Sequence, residues 1–357
     1  MAGNPNRFSC GIHGGWRDFR SAEYNYRFNL KNGFFARWGR TPYDDPHRSP
    51  FGPEIADIEI SSICCGVHGK PCAYCYKGNT GRGKNMSLET FTAVIGKING
   101  NRQLTQVAFG LGAAGTENPA LWDMCAWLRD NNIVPNGTVA DITDETADKV
   151  ARFFGACAVS DHFLSIPEGN EVCYDNVRRL TDRGMSQVNI HYVLARETYE
   201  NAFQVLRDVK NDERLRKINA LVFLSVKRKG RALKDDFQRL TGVQFTHIIR
   251  TALDMKVNIG FDSCAFPKFA SAIKGLQDEK YLLSMAEGCE SFGRFSLYVN
   301  VDGRCFPCSF CEGVEGWADG LDILSTDFLS DVWNGADMRL GREKLAKNNG
   351  DCPIYEI

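Results

Sequence analysis

The chain has 357 residues, a net charge of −1 and 43% hydrophobic residues. This length allows two domains or one large α/β domain with an appendage, and the composition argues against disorder. The balanced charge predicts neither a nucleic acid nor an anionic membrane as the partner of the whole chain. The polar N-terminus and the lack of an apolar run near the ~20 residues of a membrane span predict a cytoplasmic protein without membrane contact.

Residues 1–54 predict an irregular lead-in with one β-hairpin. Residues 24–30 alternate between apolar and polar side chains, Asn32-Gly33 is a strong hairpin turn, and residues 34–38 return as the second strand. Several Arg and Lys residues lie in this segment. They form either a solvated face or a contact surface for a substrate or a partner.

From residue 58 onwards, predicted strands and helices alternate. The strands cover residues 58–63, 106–112, 133–140, 156–160, 187–194, 220–226 and 256–261. Helices are predicted between them, opened by Ser87, Pro119 and Thr143, then over 171–183 and 198–209, and from 235 onwards. Such repetition implies parallel strands with right-handed crossovers, and six units form a partial or full barrel. Ligands of such folds lie beyond the carboxyl ends of the strands.

The fourteen cysteines fall mainly into two groups. Without a signal peptide, metal or cluster binding explains them better than disulfides. One group lies on a loop after the first predicted strand, and the other lies near the C-terminus. Four further cysteines are scattered, and small buried apolar roles suit them best: Cys10, Cys125, Cys157 and Cys173.

The first group lies in residues 64–76, CCGVHGKPCAYCY. An extended strand followed by this loop resembles the cluster loop of radical S-adenosylmethionine (SAM) enzymes. In that family three cysteines ligate a [4Fe–4S] cluster, and its open iron chelates SAM. The resemblance implies Cys72, Cys75 and Cys64 as ligands and Tyr74 as a SAM contact. The first gap, seven residues from Cys64, is longer than usual; Cys65 is the rival first ligand.

A structural zinc site on Cys72 and Cys75 is the alternative for this loop. Zinc modules usually carry a second cysteine pair within about 15–20 residues, and this chain has none there.

A second strand end, residues 115–119 (GTENP), resembles the family's Gly-Gly-Glu-Pro motif, which contacts the SAM amino group. The resemblance assigns Gly115, Thr116 and Glu117 to SAM binding, although Thr116 replaces a glycine and Asn118 is inserted. The alternative is an ordinary loop before a helix.

Three later strands carry further candidates. By the same resemblance, Ser160, at the end of the fourth strand, would contact the SAM ribose. His191 lies inside the fifth strand, where an inward-facing histidine would touch the adenosyl group or the substrate. The basic run KRKGR at 227–231 offers Lys229 and Arg231 for the SAM carboxylate or an anionic substrate group. The alternatives are a turn serine, a packed histidine and a solvated basic face.

The C-terminal region contains a predicted strand over 295–301 and a hairpin turn at Asp302-Gly303. Its spacing Cys289, Gly303, Cys308 resembles the opening motif of the SPASM and twitch extensions of radical SAM enzymes, which bind auxiliary [4Fe–4S] clusters. The resemblance favours one twitch-like cluster. Its preferred ligands are Cys264, Cys289, Cys308 and Cys352, with Cys311 as a substitute. A zinc ribbon of Cys305, Cys308, Cys311 and Cys352 is the alternative.

The resemblance implies an α/β fold, a partial (βα)6 TIM-like barrel of radical SAM type with a small C-terminal twitch/SPASM-like extension containing a β-hairpin. The expected domains are 1–54, 55–260 and 261–357.

The implied activity is reductive cleavage of SAM to a 5′-deoxyadenosyl radical, which abstracts a hydrogen atom from a substrate. An external reductant such as flavodoxin or ferredoxin would supply the electron. The substrate stays open among a small molecule, a peptide and a modified nucleotide in DNA. The chain also resembles phage-encoded radical SAM proteins, some of which rearrange amino acid adducts on thymine. A non-catalytic zinc-binding interaction protein is the alternative from another class.

Overall fold

The computed structural model describes residues 8–348 and 350–355. The chain begins with a four-stranded antiparallel sheet in sequential order, made of β1 (Phe8–His13), β2 (Trp16–Ser21), β3 (Asn25–Asn29) and β4 (Phe35–Trp38). The predicted hairpin of β3 and β4 is confirmed. The expectation of an irregular segment before it is wrong. β1 and β2 form a further hairpin, and Gly14-Gly15 supplies the two positive φ angles of its turn.

A second sheet forms the body of the molecule. Its first seven strands are β5 (Ile55–Glu59), β6 (Gln106–Gly110), β7 (Val134–Val139), β8 (Ala156–Ser160), β9 (Val188–Leu194), β10 (Ala220–Ser225) and β11 (Ile259–Phe261). Each pairs in parallel with the next. The predicted strands are therefore confirmed, although the first lies a few residues earlier than expected. The fold is mixed α/β with a large, mainly parallel sheet.

Helices connect these strands and continue beyond them. They are α1 (Leu88–Ile98), α2 (Leu121–Asp130), α3 (Asp144–Phe153), α4 (Gly169–Thr181), α5 (Tyr199–Asn211), α6 (Arg231–Lys234), α7 (Gly242–Asp254), α8 (Phe266–Ile273), α9 (Glu279–Ser284) and α10 (Ala336–Lys347), with a π-helix at Phe328–Trp333. Within the described residues, no helix has the length and apolar character that a membrane span requires.

The predicted helix starts are correct at the helices whose N-terminus is capped by a side chain. Ser87 and Thr143 each accept a hydrogen bond from a backbone N–H three residues later, as predicted. The start at Pro119 is two residues early, because α2 begins at Leu121. The start at 235 is wrong: α7 begins after Thr241, where a capping box fixes its first turn.

The two faces of the parallel sheet differ in chemistry. On one face, apolar side chains such as Ile58, Phe109 and Ile190 are 0–4% exposed and share a core with the helices. The opposite face, termed the polar face below, carries Asp57 and His191 and is only partly buried. Parallel strands covered on both sides are usually apolar throughout, so this alternation indicates a face open to a ligand.

The C-terminal hairpin extends the same sheet. β12 (Ser296–Val299) pairs in parallel with β5, β13 (Arg304–Phe306) pairs antiparallel with β12, and β14 (Leu321–Asp322) forms the edge. The predicted turn at Asp302-Gly303 is confirmed, with Gly303 at φ +76°. The hairpin therefore lies beside the strand that leads into the first cysteine loop.

The N-terminal sheet packs against the amino ends of these strands. The Arg17 guanidinium donates to the carbonyl oxygens of Leu104 at 2.8 Å and Asn132 at 3.1 Å, just before β6 and β7. Arg37 pairs with buried Glu54 at 2.8 Å, just before β5. These basic side chains thus lie at the opposite end of the sheet from the cysteine loop, in internal contacts.

Candidate active site

The first cysteine loop follows β5. The strand ends at Glu59, and isolated bridges from Ser61 and Ile63 continue its path. Strand alternation therefore does not decide between Cys64 and Cys65, but packing separates them. Cys64 packs against a buried apolar cluster that includes Ala113 and Ala140, which follow β6 and β7. Cys65 is exposed. The Cys64 side chain thus packs against residues that follow the carboxyl ends of β6 and β7.

Cys72 and Cys75 lie partly buried in the same loop. Burial, together with the nearby thiol of Cys75, raises the pKa of the Cys72 thiol to about 12. The two sulfur atoms are thus electrostatic neighbours, and a bound cation would favour their thiolate forms.

Arg231 holds this loop in place. Its Nε donates to the carbonyl oxygen of Cys72 and its Nη2 to that of Asn79, both at 2.9 Å. Its backbone N–H donates to the Cys75 carbonyl at 2.9 Å. Gly230 permits the approach, because it has φ +57° and a Cβ there would lie 2.4 Å from the Tyr76 carbonyl oxygen. The structure thus engages Arg231 with the loop backbone, where the sequence suggested the SAM carboxylate.

Two lysines of the same basic run also face protein partners. Lys227 is 4% exposed and forms an ion pair with Asp262. The Lys229 ammonium donates to the carbonyl oxygens of Phe310, at 3.4 Å, and Glu312. Burial lowers the pKa of Lys229. The run therefore connects the end of β10 to both cysteine regions.

Tyr74 connects the cysteine loop to the end of β8. Its hydroxyl donates to the carbonyl oxygen of Asp161, and its ring centroid lies 6.3 Å from that of His162. Burial raises the pKa of Tyr74 well above its usual range, so the hydroxyl stays protonated. Tyr74 therefore joins the cysteine loop to the residues that follow β8.

The carboxylate of Glu117 has one unused oxygen. Its Oε1 accepts from the Ala114 N–H at 3.1 Å, whereas Oε2 is buried with no hydrogen-bond partner in the described part of the chain. The neighbouring Asn118 is fully engaged, since its Nδ2 donates to Ile60 O at 2.7 Å and Met86 O at 2.9 Å. Asn118 therefore has a structural role, while Glu117 offers an acceptor to a ligand.

Glycines bring this turn against the cysteine loop. A Cβ on Gly112 would lie 2.1 Å from Glu117 Oε1 and 2.6 Å from the carbonyl oxygen of Ile63, the residue before Cys64. Gly115 has φ +69°, and the adjacent Thr116 is exposed. The predicted SAM-amino motif and the first cysteine thus lie side by side.

Ser160 and His191 are neighbours in the register of β8 and β9. His191 Nδ1 lies 3.4 Å from the Thr138 hydroxyl, and burial lowers the pKa of His191 to about 4. The imidazole is therefore neutral at pH 7. No hydrogen-bond partner contacts the Ser160 side chain among the described residues. Both predicted side chains lie on the polar face.

Sequence reasoning missed His162. This residue is 6% exposed, and its Nδ1 is buried without a partner in the described chain. Burial lowers the pKa of His162 to about 4, so the ring is neutral. Its position two residues after Ser160, at the end of a strand, was the sequence feature that could have identified it as a site residue.

Five C-terminal thiols lie in one region. The sulfur atoms of Cys308 and Cys311 are 3.5 Å apart, and this contact, together with burial, raises the pKa of Cys308. Burial, together with the nearby thiols of Cys308 and Cys352, raises the pKa of Cys289 to about 11. Burial also raises the pKa of Cys264, to which the nearby Cys289 and Cys308 add. The predicted auxiliary ligands are thus electrostatic neighbours.

Cys305 lies apart from these thiols. It is 0% exposed and belongs to the main core, whereas Cys308 and Cys311 pack with the cluster of Tyr298 and Phe306. Successive side chains of β13 point to opposite faces, which separates Cys305 from Phe306. A zinc ribbon that uses Cys305 is therefore not assembled.

Polar and aromatic contacts join the two cysteine regions. The rings of Tyr76 and Phe310 lie 4.5 Å apart between centroids. The Lys77 ammonium donates to the Tyr298 hydroxyl at 2.6 Å and pairs with Glu59 at 3.2 Å. These contacts fix the C-terminal loop next to the first one.

No group of three or more His, Cys, Asp or Glu side chains within residues 8–348 and 350–355 is placed to hold a metal ion. In a four-iron cluster each thiolate binds a different iron, so the thiolates lie farther apart than those that share a single ion. The donor chemistry of Cys64, Cys72 and Cys75 suits such a cluster. The unpartnered oxygen of Glu117, beside Ile63, suits an ammonium group next to it.

No protein-family model matches the chain, and no curated protein matches it. Among solved structures, it is similar to the crystal structure of BtrN in complex with AdoMet and 2-DOIA. The TM-score is 0.43 and the identity 12%, and the match covers 83% of this chain and 88% of that chain. A likeness of this size carries no argument about function.

Proposed function

We propose that the chain is a radical SAM enzyme that holds a [4Fe–4S] cluster on Cys64, Cys72 and Cys75. The observation that carries this proposal is the buried, unpartnered Oε2 of Glu117 beside the residue that precedes Cys64. A buried carboxylate oxygen without a donor is costly unless a ligand supplies one. The SAM ammonium group is the donor that the motif resemblance implies.

The cluster and SAM, once reduced by an external donor such as flavodoxin or ferredoxin, would supply the 5′-deoxyadenosyl radical that removes a hydrogen atom from the substrate. The protein would bind and orient the reactants. Glu117 would accept the SAM ammonium group. Ser160 and the neutral His191, which lie on the polar face, would bind ribose or substrate hydroxyls. Tyr74 would close the side of the site next to β8.

Lys229 and Arg231 would act on the loops rather than on the SAM carboxylate. Their donors already meet carbonyl oxygens of the two cysteine regions. If either side chain turned away, the carbonyl oxygens would lose their charged donors, which costs free energy. We therefore assign both residues to positioning the loops.

In the finer architecture that we propose, the strands from β5 to β10 form a (βα)6 partial barrel over residues 55–260. Residues 261–357 would form the twitch-like extension. One auxiliary [4Fe–4S] cluster would bind to Cys264, Cys289, Cys308 and Cys352, with Cys311 as the substitute ligand. Residues 1–54 would stabilise the closed end of the barrel.

Metal analysis after anaerobic reconstitution tests this proposal. We expect about eight iron atoms per chain, as two clusters with their electron paramagnetic resonance signals. The double variant Cys72→Ala/Cys75→Ala should retain about half of the iron, since only the first site loses ligands. Cys125→Ala, a core thiol away from both regions, serves as the matched control and should retain all of it. Zinc as the sole metal, without iron uptake, would contradict the proposal.

A further inference from the structure

Lys77 lies between the two cysteine regions, just after the first cysteine loop. Its ammonium group donates to the Tyr298 hydroxyl at 2.6 Å, lies 3.2 Å from the Glu59 carboxylate and forms an ion pair with Glu312. Glu59 ends β5, Tyr298 lies in β12, and Glu312 lies in the C-terminal loop of residues 307–312, termed the second cysteine loop below. One side chain therefore contacts the strand before the first loop and both parts of the C-terminal hairpin region.

Three further contacts complete this group, termed the Lys77 network below. The Tyr298 hydroxyl lies 3.0 Å from Glu59 Oε2 and 3.3 Å from Glu312 Oε2, and it can donate to either. The Asn300 side-chain amide donates to Glu312 Oε1 at 2.8 Å. The side chains of Lys77, Glu59 and Glu312 are only 14%, 6% and 23% exposed. Water therefore screens their charges weakly, and each charge depends on the others.

The two carboxylates of the network depend on the Lys77 ammonium group. Without it, Glu59 and Glu312 would face each other as like charges, and the single hydroxyl hydrogen of Tyr298 could serve only one of them. Glu59 ends a strand that pairs with β6 on one side and β12 on the other. Glu312 lies in a loop and has more freedom to move. Loss of Lys77 should therefore displace the second cysteine loop as well as the first.

Aromatic packing makes the same connection beside the thiols. The rings of Tyr76 and Phe310 lie 4.5 Å apart between centroids, and the Lys227 ammonium lies 4.8 Å from the centroid of the Phe310 ring. Tyr76 follows Cys75 in the first loop, and Phe310 precedes Cys311 in the second. Each loop therefore packs on the other next to a candidate ligand, so a shift of either loop displaces thiols.

We propose that Lys77 is a positioning residue for both candidate cluster sites. Its ammonium group would be a ligand of neither cluster, but its contacts set where both loops lie. This inference rests on the proposed function and goes beyond it, because a residue outside both ligand sets would control the two sites. Loss of a ligand thiol should disable its own site, whereas loss of Lys77 should disable both.

Alkylation of the metal-free, reduced full chain tests the inference first. Iodoacetamide labels each accessible thiol, and peptide mass spectrometry gives a rate for each cysteine. In Lys77→Met, Cys75 and Cys311 should react at least about tenfold faster than in the parent, as expected when a shielded ion pair is broken. In Lys77→Arg, which keeps the charge, both rates should return towards those of the parent.

Lys84 provides the matched control. It also connects the segment after the first loop to the C-terminal hairpin, through an ion pair with Asp302, but these two side chains are 59% and 49% exposed. Lys84→Met should change the rates less than about twofold, because exposed pairs contribute little. The core thiol of Cys125, which is 0% exposed, reports unfolding of the whole chain and should stay unreactive in each variant.

An unchanged rate at Cys311 in Lys77→Met would overturn the inference, and so would an equal effect of Lys84→Met. If Cys125 also becomes reactive in Lys77→Met, Glu312→Gln decides, because this change keeps the size of the side chain. It should speed the reaction of Cys75, which lies in the other loop, at least severalfold. An unchanged rate at Cys75 in Glu312→Gln would overturn the inference.

Iron uptake measures the consequence for the two sites. Lys77→Met should lower the electron paramagnetic resonance signals of both clusters at least about threefold, whereas Lys84→Met should keep both. Loss of one signal alone would overturn the inference. A parent chain that takes up no iron would overturn the proposed function instead, and the alkylation rates would still decide the role of Lys77.

Discussion

The guanidinium Nε of Arg231 lies 2.9 Å from the carbonyl oxygen of Cys72 and donates a hydrogen bond to it. The bond joins the start of α6 to the first cysteine loop across 159 residues of sequence. A side chain that the sequence assigned to an anionic group thus holds the backbone of the loop that carries the thiols. We therefore expect the proposed cluster site at Cys72 and Cys75 to depend on Arg231, which holds the loop through its backbone carbonyl oxygens.

Replacement of Arg231 should therefore reduce cluster assembly. Arg231→Ala removes two side-chain hydrogen bonds to loop carbonyls, at a cost of about 2–3 kcal/mol, and should lower the iron bound at the first site at least severalfold. Arg231→Lys should recover part of the iron, because one donor can still reach the loop. Iron analysis and electron paramagnetic resonance measure the effect.

Arg228 provides the matched control for this prediction. It belongs to the same basic run but pairs with exposed Asp236 at 2.7 Å. Arg228→Ala should keep the full iron content, since exposed pairs contribute about 1 kcal/mol or less. If Arg231→Ala keeps its full iron content but binds SAM more weakly, Arg231 would instead bind the SAM carboxylate.

A second prediction concerns the adjacent cysteines. Cys64→Ala should lose the first cluster and all formation of 5′-deoxyadenosine, because this thiol packs towards Ala113 and Ala140 at the strand ends. Cys65→Ala should keep both, with a stability change within about 0.5 kcal/mol, as expected for an exposed side chain. Activity that survives in Cys64→Ala and vanishes in Cys65→Ala would identify Cys65 as the ligand.

A third prediction separates Glu117 from Asn118. Glu117→Ala should weaken SAM binding at least about tenfold while costing about 1 kcal/mol of stability, since it removes one bond to the Ala114 N–H. Asn118→Ala should cost roughly 2–3 kcal/mol, because the carbonyl of Met86 loses the Asn118 donor and the carbonyl of Ile60 keeps only the N–H of Met86. Calorimetry and thermal unfolding measure the two effects. Unchanged SAM affinity in Glu117→Ala would remove the residue from the site.

A fourth prediction uses the pH dependence of stability. Burial raises the pKa of Asp57 from 3.8 to about 6, so the folded state holds this proton more tightly than the unfolded state does. The stabilising contribution of the protonated group is present below about pH 4 and is lost as the pH rises through about 6. At neutral pH the charged Asp57 then destabilises the fold by up to about 3 kcal/mol, from roughly two pKa units.

Asp57→Asn removes this titration. We expect the variant and the parent to differ little in free energy of unfolding at pH 4, and the variant to be more stable above pH 6. Denaturant unfolding across pH 4–8 measures the difference. A parent that exceeds Asp57→Asn in stability at pH 7.5 would indicate a cationic partner for Asp57 within the protein.

Local sequence patterns predicted the fold correctly where buried strands appear as apolar runs in the sequence. The strand at 156–160 was found at Ala156–Ser160, because its apolar run lies between Gly155 and Asp161. β1 was missed for the opposite reason: it is an edge strand whose side chains remain largely exposed, so no alternation marks it. Its pairing with β2 depends on the turn at Gly14-Gly15.

The sequence predicted the candidate cysteines of the site, but only some of its other residues. The resemblance of residues 64–76 to a cluster loop marked Cys64, Cys72 and Cys75. The contacts of Arg231 and the separation of Cys305 depend on tertiary packing, which no local pattern encodes.

The formation of 5′-deoxyadenosine from SAM tests the central claim most directly. The reconstituted chain, reduced anaerobically with dithionite, should form this product slowly even without a substrate. Cys72→Ala/Cys75→Ala should form none, and Cys125→Ala should form as much as the parent. A parent chain with its full iron complement that forms no 5′-deoxyadenosine, or equal formation by the double variant, would contradict the account.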